Sequence, residues 1–195
     1  MLNNLFLYVK KEKYEECIKY GIKLSEYANI IIQAEPNSKK GIISYLSPKD
    51  SDLYLDNSYV CLKIKTNDLQ VYISNLTLQD TKLEKKCTCK LENYTLGDFE
   101  EPVAIICTTI LPENISLYNS IIDSPLLVQD SKEFYYNKRI NELIDDETFS
   151  CQELYKALVI LGERKGTFEK VLDENNIKAY INKSNKKIYT NVTKF

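Results

Sequence analysis

Histidine and tryptophan are absent from the 195 residues, and arginine occurs only at Arg139 and Arg164. Without an imidazole there is no Ser-His-Asp or Cys-His constellation and no His-ligated zinc or iron site. Both arginines follow residue 138, so everything before them lacks the guanidinium fork that binds phosphate in a bidentate manner. Glycine and proline number only 5 each, which excludes a disordered or low-complexity chain. No apolar run approaches the roughly 18–20 residues that span a bilayer, so no membrane association is expected. An excess of basic charge is missing too. The formal net charge is −2 and the pI about 5.4, which argues against a globally basic nucleic-acid binder.

What remains is an ordinary globular mixture, 44% hydrophobic and 28% charged, enough for a sizeable core in one large or two small domains. Lys, Ile, Asn and Tyr are abundant, a bias that reflects AT-rich coding rather than function. The six cysteines are Cys17, Cys61, Cys87, Cys89, Cys107 and Cys151. The opening Met1-Leu2-Asn3-Asn4-Leu5-Phe6 has no basic stretch followed by a long apolar one, so no signal peptide is read there. A cytoplasmic location with reduced, structural thiols is the expectation. Cys61 and Cys107 sit in apolar strand-like runs, where a thiol behaves as a small hydrophobe. Cys87-Thr88-Cys89 lacks the further ligands a metal site needs, and no metal is expected.

The pattern along the chain is that of an α+β protein with a mixed or antiparallel sheet, followed by a helical region with a terminal β-hairpin. Leu5–Val9 reads as a strand, Lys11–Tyr20 as a helix stopped by Gly21, and Ile22–Ser25 as a short extended piece. Tyr27–Gln33 is ambiguous, Glu35–Gly41 has turn chemistry, and Ile42–Leu46 is a strand or short helix. Tyr59–Lys65, Leu69–Ile73 and Cys87–Leu96 read as extended. The nearly continuous apolar run Val103–Leu111 predicts a central strand. The period changes after Pro125, dividing the chain into domains at 1–125 and 126–195. Lys132–Ile144 predicts a helix. Ser150-Cys151-Gln152-Glu153 has the form of a capping box opening a second helix to about Gly162. Thr167–Asn175 predicts a third. Ile177–Ile181 and Lys187–Val192 alternate as a hairpin.

Three segments within residues 1–118 carry a likeness. They are Leu5–Val9 with its helix and Gly21-Ile22-Lys23-Leu24-Ser25, then Gly41–Pro48, then Glu100–Ile105 followed by Ile110–Ile115. Their order resembles a diverged ADP-ribosyltransferase fold, as in DNA ADP-ribosylating toxins and RNA 2′-phosphotransferases. The resemblance implies NAD as cofactor, with Tyr8 and Ser25 at cofactor-binding positions. It places Tyr45 beside the nicotinamide. It makes Glu100 or Glu101 the catalytic carboxylate, which would bind a ribose hydroxyl and stabilise the cation left as nicotinamide departs. The His or Arg that the fold's first motif normally supplies is replaced by Tyr8 or Val9. The fold is thus expected to outlast its chemistry, leaving a weak or degenerate enzyme that binds a nucleotide or a protein partner.

Three helices and a hairpin also resemble a winged-helix module. Residues 176–195 carry Lys178, Lys183, Lys186, Lys187 and Lys194 and no acidic side chain, so a basic wing on nucleic-acid phosphates is the alternative reading. The expected third helix holds Glu169, Asp173 and Glu174, and its carboxylates should partly cancel that wing. The first reading requires a cleft where strands 5–9, 42–46 and 102–110 meet; the second requires one uncovered face of lysines.

Overall fold

The computed structural model describes residues 2–34, 37–75, 88–123, 129–145, 151–174 and 177–192. They form two compact units, Met1–Lys132 and Glu133–Phe195.

The first unit begins with β1 (Asn4–Lys10), whose alternation buries Leu5, Leu7 and Val9 on one face. A 3-10 turn over Lys11–Lys13 leads into α1 (Tyr14–Tyr20). Gly21 ends that helix at φ 79°, its N–H donating to the Cys17 carbonyl. A side chain is excluded there twice over, because a Cβ would also lie 2.4 Å from the Ile110 carbonyl oxygen. That close approach allows Ile22 and Ile110 to exchange backbone hydrogen bonds of 2.8 and 2.9 Å. The extended piece expected over Ile22–Ser25 is therefore confined to its start. α2 (Leu24–Tyr27) follows at once, with the Leu24 N–H donating to Thr109 Oγ1.

β2 (Ile30–Ala34) settles the ambiguous segment as a strand, because it pairs with β3 (Asn37–Ser44). The turn chemistry of residues 37–41 yields to that pairing, which satisfies their backbone groups and leaves only Glu35 and Pro36 outside the described strands. β4 (Tyr59–Lys65), β5 (Val71–Asn75), β6 (Thr88–Lys90), β7 (Pro102–Ile106) and β8 (Ile115–Leu117) complete the unit. They form two sheets, in the orders β1-β4-β8 and β2-β3-β7-β5-β6. Every described pairing is antiparallel.

All five residues of β7 are buried, which explains its unbroken apolar run. The run ends as a strand at Ile106 rather than Leu111: one more bond, from the Cys107 N–H to the Gln70 carbonyl, extends the pairing with β5, and by Ile110 the backbone has turned to Ile22. Gly41 lies opposite this strand, where a Cβ would come 2.2 Å from Ile105 Cγ2. The two sheets meet where Phe6 and Tyr45 exchange backbone hydrogen bonds of 2.9 and 2.8 Å.

The division between units falls in the first turn of α3 (Ser131–Asp145). In the second unit Tyr136 and Ile140 of α3 pack against Ala157 and Leu161 of α4 (Cys151–Arg164), a spacing of four residues on each helix. Ser150 of the capping-box pattern, Cys87 and Lys194 lie outside the described residues. The third helix expected over Thr167–Asn175 is instead β9 (Phe168–Glu174). Phe168, Val171 and Leu172 have helical spacing, but β9 pairs antiparallel with β10 (Ile177–Asn182), which also pairs with β11 (Ile188–Val192). An irregularity between Ala179 and Tyr180 absorbs the extra residue. Three-stranded pairing overrides the local period, so two helices precede a three-stranded sheet. No described helix is long and apolar enough to cross a membrane.

Candidate functional site

The pleat of β1 turns Phe6 and Tyr8 away from the face that carries Leu5, Leu7 and Val9. Val9 is buried with that core, so Tyr8 is the residue of the pair that reaches Tyr45. Their rings meet edge to face, with centroids 6.2 Å apart at 71°. Tyr8 Oη donates to the Pro48 carbonyl at 2.7 Å, fixing the ring against the turn that follows Tyr45. Tyr45 itself is half-buried against the apolar cluster formed by Ile32, Tyr72, Val103, Ile105 and Cys107.

Tyr8 lies opposite Cys61 of β4. Burial, reinforced by Cys61, Tyr54 and Tyr118, raises the pKa of the Tyr8 phenol far above its ordinary value. Burial also pushes the Cys61 thiol up to about 12, against the opposing hydrogen bond with Tyr8. Both groups are protonated at neutral pH, so neither supplies a ready nucleophile or base.

Glu100 and Glu101 precede β7 and converge on Lys132, in the first turn of α3. Lys132 Nζ is 3.1 Å from Glu100 Oε1 and makes a close ion pair with Glu101 Oε1. Lys132, Glu100 and Glu101 are 26%, 31% and 34% exposed, so the cluster is half-buried rather than a solvated edge. Burial lowers the pKa of the Lys132 ammonium, but hydrogen bonds and charge from Glu101 and Glu100 outweigh it and hold the group above its ordinary value.

Asp50 anchors the same turn of α3. It accepts from the Ser131 N–H and the Ser131 hydroxyl, both at 2.6 Å, and from the Ser47 N–H at 2.9 Å. Burial raises its carboxyl above the ordinary aspartate value despite those three bonds. Ser47-Pro48-Lys49-Asp50 is a capping box with proline at its first position. This short turn links the two groupings, since Pro48 holds Tyr8 while Asp50 holds the helix start that carries Lys132.

Sequence reasoning singled out the tyrosines and glutamates and missed Asp50, Ser131 and Lys132. The S-x-x-D pattern with its proline was the available signal for Asp50; nothing local marks Lys132. Ser25 is exposed on α2, and no described hydrogen bond joins it to Tyr8 or Tyr45. Lys178, Lys183, Lys186 and Lys187 are all exposed. Lys178 lies opposite Asp173 in the sheet, whereas the other three occupy the turn between β10 and β11. Among the described residues no three His, Cys, Asp or Glu side chains are grouped to hold a metal.

No protein-family model, curated protein or solved structure matches this chain. The site must be read from its own chemistry. Tyr8 and Tyr45 offer aromatic surface to a planar ligand or an apolar side chain. A dinucleotide pyrophosphate fits less well. No arginine lies in the unit, Lys132 is paired with both glutamates, and Lys49, exposed on the Ser47–Asp50 turn, offers a point charge rather than a fork.

Proposed function

We propose that the first unit is a diverged ADP-ribosyltransferase-like domain that binds a nucleotide or a protein partner and has little or no NAD turnover. The convergence of β1, the end of β3 and β7 supports the fold part of this reading, as does the Tyr8–Tyr45 contact at their junction. The observation that carries the functional part is Lys132 lying across both candidate catalytic glutamates. A carboxylate stabilises a developing ribosyl cation only if its charge is free to face it. Here that charge is already met by an ammonium.

The test is calorimetric titration with NAD, together with an assay of nicotinamide release. Release no faster than spontaneous hydrolysis is expected for the unaltered chain. Robust release, abolished by Glu100→Gln or Glu101→Gln, would overturn the degenerate assignment.

A further inference from the structure

The lysines of the second unit are sorted by the sheet in a way their spacing in sequence conceals. Asn182 pairs with Phe168, and the Lys183 N–H donates to the Thr167 carbonyl at 3.0 Å. Thr167 N–H in turn donates to the Gly162 carbonyl near the end of α4. The β10–β11 turn with Lys183, Lys186 and Lys187 therefore lies at the same end of the unit as Arg164 and Lys165.

That turn is tightly ordered. Asn182 Oδ1 accepts from the Ser184 N–H and hydroxyl at 2.9 and 2.7 Å, and the Lys186 N–H donates to the Asn182 carbonyl at 2.8 Å. The Lys187 N–H donates to Asn185 Oδ1 at 3.0 Å, and Lys186 is held at φ 57°. All three lysines are exposed, and none makes an ion pair among the described residues.

The acidic residues expected to cancel this charge stand apart from it. Asp173 and Glu174 pair with Lys178 and Ile177 at the other end of β10. Five residues of strand separate Lys178 from Lys183, about 17 Å at the usual rise, roughly twice the ~8 Å screening length at physiological salt. Of the β9 carboxylates only Glu169, opposite Ile181, remains near the turn. Lys165 lies 3.5 Å from Glu133 and is partly neutralised, which leaves the turn lysines as the principal charge.

We propose that the β10–β11 turn, flanked by the end of α4, is a contact surface for the phosphate backbone of nucleic acid. Duplex DNA carries one charge per about 1.7 Å of axis, so three lysines of one tight turn can meet neighbouring phosphates together. An anionic bilayer bound by so few lysines needs a sizeable apolar anchor beside them; residues 182–187 contain no apolar side chain, and the adjoining exposed Ile188 is a single one. No base-reading element accompanies the turn, so the contact is weak and independent of sequence.

The test is fluorescence anisotropy of the full chain with a labelled 20-base-pair DNA duplex between 50 and 200 mM salt. Three phosphates neutralised give a log–log slope near about −2.7, so affinity should fall about 40-fold across that range. The combined Lys183→Gln, Lys186→Gln and Lys187→Gln variant keeps the left-handed residue's strain unchanged and should retain its circular dichroism while losing binding. Lys178→Gln should leave the slope unaltered. The proposal is overturned by no binding at 50 mM salt, by binding that survives the triple variant, or by lysine-dependent binding to phosphatidylserine vesicles without binding to the duplex.

Discussion

Replacing Asp50 by alanine removes the acceptor of three hydrogen bonds at once. The Ser131 hydroxyl can rotate to a new partner, but the backbone N–H groups of Ser47 and Ser131 cannot, and both residues are buried. An unsatisfied buried donor costs about 1–3 kcal/mol, giving about 2–6 kcal/mol for the pair. Part is returned, because the raised carboxyl shows that its charge is held against a desolvation cost that exceeds the gain from its bonds. A net loss of about 2–4 kcal/mol is expected, with a drop in Tm of very roughly 6–20 °C for a unit of this size. Asp50→Asn keeps one acceptor but turns an amide donor toward another N–H, so its loss should be smaller.

The pH dependence has a definite sign. A folded carboxyl raised above its unfolded value contributes stability that is complete below the unfolded value and lost as pH rises through the folded one. The aspartate protein should therefore gain on Asp50→Asn as pH falls from 7 toward 4. Urea unfolding followed by tyrosine fluorescence and circular dichroism measures both effects. An Asp50→Ala protein within about 0.5 kcal/mol of the parent would refute the capping role.

Gly21→Ala should destabilise the first unit by about 1–3 kcal/mol, because the residue has φ 79° and its Cβ would overlap the Ile110 carbonyl oxygen; urea unfolding with an unchanged midpoint would show that the Ile22–Ile110 bridge is dispensable. Thiol titration of denatured, unreduced protein should find about six groups, consistent with the free state of Cys17, Cys61, Cys89 and Cys107. A result of two or fewer would overturn the assignment of reduced thiols. In the native protein Cys61 should react far more slowly than a free thiol, since burial pushes its pKa to about 12.

Strands that form short apolar or β-rich runs were legible in the sequence. β1 and β7 are apolar runs, β4 is β-rich, and Gly21 announces the end of α1 in its conformation as well as its identity. The reading failed where pairing overruled local preference. Residues 168–174 satisfy a helical period on paper, but their backbone groups have a better partner in β10. Residues 37–41 carry turn chemistry and still complete a hairpin. At the site, the Tyr8–Tyr45 contact depends on the Phe6–Tyr45 backbone bridge, which no single segment of sequence contains. Lys132 was invisible because it acts on Glu101 across 31 positions, as was the Asp50–Ser131 bond across 81. The segregation of Lys178 from the turn lysines needed the strand register, which a local charge count does not contain.

The bond between Asp50 and Ser131 also sets a clock. A ribosome adds about 5–20 residues each second, so the 81 residues between donor and acceptor take about 4–16 s to make. Throughout that interval the Asp50 carboxylate exists without the helix turn that later meets it, and Glu101 waits for the last 31 residues of it. β1 likewise waits for residues 59–65 before its backbone can pair. The first unit is thus completed only by its own last residues, since the turn that neutralises its glutamates is the final part of it to be made.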